Sequence, residues 1–208
     1  MSDQRAPEIW LRTDEVEEFI DALERSADFL GAVASDLRLW KWAIIALHQA
    51  LQGAFICALV GHHASSHAVF GKKVRKEYLR WHEEGRTSDP KWSEEKQPLA
   101  SFLELFERIK DPDFLPEPHR LDASPEIDPD DKRLNELRND FIHFLPQGLA
   151  LEVSGMPRIA RHSSEIIAHL AIEKRAFRLN DEKARQVLQA LHRIGVGLAE
   201  FEKAHRLA

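Results

Sequence analysis

Cysteine is almost missing from this chain: Cys57 is the single one in 208 residues. A disulfide framework and a CxxC motif are both excluded, and a reducing cytoplasm is the expected compartment. Positive charge is also in short supply. With 35 acids against 29 Lys and Arg the formal charge is -6, so the chain as a whole lacks the electrostatic footprint that grips long duplex DNA. Met1 to Trp10 has no basic segment leading into an apolar stretch, so export by a signal peptide is not expected. No glycine-rich loop joins a strand to a helix, and neither GxSxG nor HExxH occurs. The common nucleotide-binding, hydrolase and zinc-protease signatures are thereby removed.

What is present is the composition of a globular protein, 43% hydrophobic and 31% charged, long enough to bury roughly 70% of its unfolded surface in one core. The charge imbalance sits at the start. Residues 1–30 hold nine acids against three arginines, and the remainder balances at 26 of each sign. One local basic run stands out: Lys72, Lys73, Arg75, Lys76 and Arg80 against the single acid Glu77, with Tyr78 and Trp81 interleaved. These five cations are candidate RNA-binding residues, suited to a phosphate backbone with stacked bases, although such a run is more often a solvated helix face.

Hydrophobic periodicity predicts mostly helix. Val16, Phe19, Ile20, Leu23 and Leu30 make an amphipathic first helix capped by Thr13 or Asp14. A second, from Ser35 or Asp36 to Gly61, is apolar on several faces and should be the central buried helix. A membrane span over Trp42 to Val60 is the rival reading, opposed by His48, Gln49 and Gln52 in its middle. Ser66 to His82 reads as a basic helix and Pro98 to Ile109 as a short apolar one. Five of the ten prolines fall between Asp111 and Pro129, which predicts a long loop, of the kind that serves as a lid. Helix is expected again from about Asp130 to before Pro146, from Ser163 or Ser164 to Arg178, and from Asn180 to His205. Leu149, Leu151 and Val153 alternate ahead of a Ser154-Gly155 turn and Arg158-Ile159-Ala160, which predicts a small β-hairpin. The expectation is an all-α, up-and-down bundle of five to six helices with a hairpin near 149–160. Residues 1–12 form a tail, 13–208 a single domain, and 111–129 its proline-rich loop.

Two groups of residues carry candidate chemistry. His62, His63 and His67 cluster after the central helix, with His63 and His67 one turn apart. They are either metal ligands supplemented from elsewhere or surface histidines, and no metal or other cofactor is expected. The second group lies in Leu134 to Phe144. Asn139 and His143 are one turn apart, and Arg138, ~100° round the helix, has the reach to bend back toward them. A neutral imidazole can take a proton from a ribose 2′-hydroxyl, and a guanidinium can stabilise charge on the phosphorane. The alternative is structural: Arg138 pairs with Glu136, Asp140 or another helix, and His143 packs beneath the hairpin.

The run Arg138-Asn139-x-x-x-His143 resembles the motif of the HEPN superfamily, an arginine separated by four to six residues from a histidine, often with a polar residue directly after the arginine. Arg75 to His82 and Arg185 to His192 have allowed spacings but no amide after the arginine. The resemblance implies a helical bundle that commonly dimerises to join two motifs in one groove, and in many members metal-independent ribonuclease activity, often beside an antitoxin partner. Others bind nucleotides or have lost catalysis. By that resemblance the catalytic residues are His143 as acid/base, Arg138 as phosphate ligand and Asn139 as orienter. The competing expectation is a non-catalytic, dimeric protein-interaction or nucleotide-binding module. No membrane partner is expected.

Overall fold

In the computed structural model the described residues are 10–62, 66–84, 97–123, 125, 128–143 and 150–206. The first helix, α1 (Glu15–Leu30), starts where Asp14 Oδ1 accepts the backbone N–H groups of Val16 and Glu17 at 3.0 and 2.8 Å. Glu15, Glu17 and Glu18 in its first turn complement the positive end of the helix dipole. Its buried stripe, Phe19, Ile20, Leu23, Ala27 and Leu30, packs along α2 (Leu39–His62). Phe19 meets Gly53, and the charges of Asp14 and Glu15 reach Cys57, so the two helices run in opposite directions.

The span Leu39–Gly61 is apolar and long enough to cross a bilayer, and 61% of its most apolar 18-residue window is buried inside the protein. Its apolar faces have partners, because α1, α5 and α6 all pack on it.

The final helix, α7 (Asp181–His205), closes the core. Asn180 caps it by accepting Lys183 N–H at 2.8 Å, and Val187, Ala190, Ile194, Leu198 and Phe201 face inward. Lys183 lies 3.7 Å from Glu17, Arg193 bonds Asp28, and Gly197 abuts the Leu30 carbonyl. α7 is therefore parallel to α1. A Cβ at position 197 would sit 2.6 Å from Leu30 O, so this close crossing needs glycine. Phe201 meets Trp40 of α2 edge-on at 5.1 Å.

Four further helices complete the described set: α3 (Lys72–Glu83), α4 (Phe102–Arg108), α5 (Asp128–Ile142) and α6 (Met156–Ala168). A capping box between Ser101 and Glu104 starts α4. Phe55 of α2 holds Phe102 and Phe106 at 5.5 and 5.9 Å. α6 runs on into a π-turn, His169–Glu173, ending near Arg175 in the left-handed region at φ 49.

The all-α expectation holds. Seven α-helices are described, against the five to six expected of the bundle. The expected hairpin at 149–160 is corrected. Residues 150–153 pair with no strand, Ser154-Gly155 is a turn, and Arg158 to Ala160 belong to α6, while Leu149 lies outside the described residues. Pro157 in the first turn presets helical φ, and Met156, Ile159, Ala160, Ser163, Ile166 and Ile167 bury one helical face. That face outweighs the short alternation before it.

Candidate functional site

Helix α5 is fixed by burial of Leu134, Leu137 and Phe141. This stripe leaves Asn135, Arg138 and Asn139 half-buried along its flank. Against that flank α2 presents His48, only 3% exposed, whose Nε2 donates to Asn135 Oδ1 at 3.2 Å. The ring stacks on Phe102 at 4.2 Å. Burial, helped by the Arg138 charge and opposed by the Asn135 bond, holds the His48 pKa down at about 4. His48 is thus a neutral donor and not a cation at physiological pH.

One turn further along, Arg138 Nη1 donates to Asn139 Oδ1 at 3.0 Å. The backbone N–H of His143 donates to Asn139 O at 2.9 Å, so helical geometry carries through to His143 although α5 ends at Ile142. The His143 side chain is exposed. The structure therefore joins Arg138 and Asn139 directly. His143 stands one turn beyond them, and among the described residues its imidazole makes no hydrogen bond or ion pair with either. Among the described residues Arg138 forms an ion pair with neither Glu136, which pairs with Arg133 at 2.9 Å, nor Asp140, which is exposed.

The five cations of the basic run all lie on α3, which has no buried residue. Lys72, Lys73, Lys76 and Arg80 are exposed, whereas Arg75 is half-buried over the Phe114 ring, 4.3 Å from its centroid. Lys72, Arg75 and Lys76 line a groove shared with α4; Lys73 and Arg80 do not. Of the histidine trio, His63 and the His62 side chain lie outside the described residues, and the His67 ring meets Tyr78 edge-on at 5.4 Å. Among the described residues no three His, Cys, Asp or Glu side chains gather as a metal-ligand set.

A further cluster escapes the sequence reading. Asp130 is 3% exposed, accepts a bond from Arg158 at 2.8 Å and lies 2.7 Å from His162 Nδ1. Asp131 is fully buried, and neither of its oxygens has a hydrogen-bond partner. Burial and the charges of Asp128 and Asp130 push its carboxyl up to about 8, with Lys110 acting against them. A signal existed. The buried stripe of α5, extended back three and four residues from Leu134, passes through both aspartates.

No family model, no curated protein and no solved structure matches this chain. Function rests on the residues themselves.

Proposed function

We propose that this chain is a HEPN-like protein that cleaves RNA without a metal, using Arg138, Asn139 and His143. The observation that carries the reading is the placement of an exposed imidazole one helical turn beyond a guanidinium already hydrogen-bonded to a carboxamide. In this reaction His143 accepts the proton of a ribose 2′-hydroxyl, and the 2′-oxygen forms a bond to the adjacent phosphorus. The bond from phosphorus to the 5′-oxygen breaks, and the imidazolium returns its proton to that leaving oxygen. The products are a 2′,3′-cyclic phosphate and a 5′-hydroxyl end. Arg138 stabilises the charge on the non-bridging oxygens, and Asn139 fixes the guanidinium plane.

A cytoplasmic homodimer is part of this reading. Ile142, 44% exposed beside His143, offers apolar surface at the same turn, as a seam between two copies requires. The same exposure favours the second reading, a non-catalytic interaction module. The exposed cations Lys72, Lys73, Lys76 and Arg80 supply a backbone track in the RNA-cleaving reading.

Purified protein incubated with mixed RNA and a chelator should generate 2′,3′-cyclic phosphate ends, and His143→Ala should abolish them. Equal degradation by the variant, or intact RNA with the wild-type protein, removes the cleavage assignment.

A further inference from the structure

The groove between α3 and α4 holds two arginines, Arg75 and Arg108, that form no ion pair among the described residues. Arg108 is 7% exposed, and its Nη1 donates to the carbonyls of Ala68 and Phe70, both at 2.7 Å. Those bonds satisfy donors but supply no counter-charge, and Glu104, one turn back on α4, acts on the guanidinium only from beyond ion-pair distance. Among the described residues no carboxylate lies within ion-pair distance of Arg108 or Arg75. Arg75 Nε is itself buried without a hydrogen-bond partner. Both guanidiniums sit over one ring, Phe114, at 4.3 and 5.1 Å from its centroid. Buried charges in proteins are ordinarily paired. Here two of like sign converge instead.

The groove they line measures about 610 Å³, within the size range of small-molecule sites. Its other walls are Leu79, Leu103 and Phe114, with Lys72 and Lys76 at the edge. Two acids are present but committed: Glu104 closes the α4 capping box, and Glu107 pairs with Lys110 at 3.0 Å. Four cations against two acids leave a net charge of +2 (4 − 2), which accommodates one anionic group. An apolar wall beside a forked cation pair selects a ligand with an apolar body and a single acidic head.

We infer that the α3–α4 groove is a binding site for a small amphiphilic carboxylate, its head held by Arg75 and Arg108 and its apolar body laid on Leu79, Leu103 and Phe114. This site does not depend on Arg138, Asn139 or His143, although Lys72 and Lys76 at its edge also belong to the proposed RNA track.

Decanoate is the probe, titrated calorimetrically into the full chain at low salt, with decanol as its uncharged twin. Decanoate should bind at one site per chain, with decanol weaker by roughly tenfold or more, the expected loss for a charge-assisted hydrogen bond. Arg75→Gln should weaken decanoate by a similar factor while leaving the circular dichroism spectrum unchanged. Arg75 is the residue to change because Arg108 also braces the backbone of Ala68 and Phe70. Lys203→Gln on distant α7 should leave the affinity as it was. Equal binding of decanol, an Arg75→Gln variant with wild-type affinity, or no saturable decanoate binding would each overturn the assignment. So would displacement of decanoate by a short oligoribonucleotide, which would return the groove to the RNA track.

Discussion

The Nε2 of His48 and the Oδ1 of Asn135 lie 3.2 Å apart and tie the central helix to α5 one turn before Arg138. The bond joins a buried ring to the flank that carries the candidate site, so its loss should be felt in stability and in the site together.

The first prediction concerns acid. His48 titrates near 4 in the folded protein, against 6.5 for the free side chain. The unfolded chain therefore binds the proton more readily. The stabilising contribution is complete above about pH 6.5 and is lost as pH falls toward 4, on the order of 3 kcal/mol in all. Urea unfolding of wild-type protein and His48→Phe at pH 7 and 4.5 measures it. On acidification the wild-type protein should lose stability relative to the variant; an unchanged difference between the two would show that His48 is not the group responsible.

Asp131 has the opposite sign. Its folded pKa of about 8 lies above the ordinary 3.8, so its contribution is complete below about pH 4 and is lost as pH rises toward 8. Between pH 4 and 6.5 the two residues offset each other, and from pH 6.5 to 8 Asp131 acts alone of the two. Wild-type stability should fall there by up to about 1.4 kcal/mol per pH unit. Asp131→Asn keeps the shape and removes the proton, so a flat profile is expected for it. A slope unchanged in Asp131→Asn would assign the effect elsewhere.

Two glycines of one helix should respond oppositely to alanine. At Gly197 a methyl group would run into the backbone of Leu30, and Gly197→Ala should cost about 1–3 kcal/mol. Gly195 has nothing within 4 Å of its would-be Cβ, so alanine there should stabilise by roughly 0.5–1 kcal/mol through helix propensity. Thermal melts of the two variants decide it. The same sign for both would show that α7 does not press on α1 at position 197.

For RNA cleavage, Arg138→Lys keeps the charge and loses the planar fork that Asn139 receives. The rate should drop by about 10²–10³, the range found when one transition-state donor is removed. A kinetic series on one short RNA, compared with His143→Ala, tests this. A Lys variant as fast as wild type would show that the fork plays no part.

Helical periodicity made α1, α2 and α7 legible almost to their ends, since each carries a long apolar stripe and the caps Asp14 and Asn180 are themselves signals. The hairpin expectation failed because alternation over Leu149, Leu151 and Val153 is short, while the deciding residues, Pro157 and the buried face of α6, follow it. At the candidate site, the join between Arg138 and Asn139 followed from adjacency and reach. The approach of His48 did not, because it depends on where α2 crosses α5, 87 residues away in the chain. Arg108 was equally hidden. Within its helix it reads as a surface charge, and only the carbonyls of Ala68 and Phe70 make it interior.

The side-by-side packing of α1 and α7, more than 150 residues apart in sequence, makes assembly non-local. As the chain emerges from the ribosome, Phe19, Leu23 and Leu30 have α2 to cover them, but the flank reserved for Val187, Ile194 and Leu198 stays open until α7 itself has been made. Late closure of this kind slows folding and prolongs exposure of apolar surface. Shortening α7 would therefore show itself first as aggregation during synthesis, before any loss at the proposed RNA site could be measured.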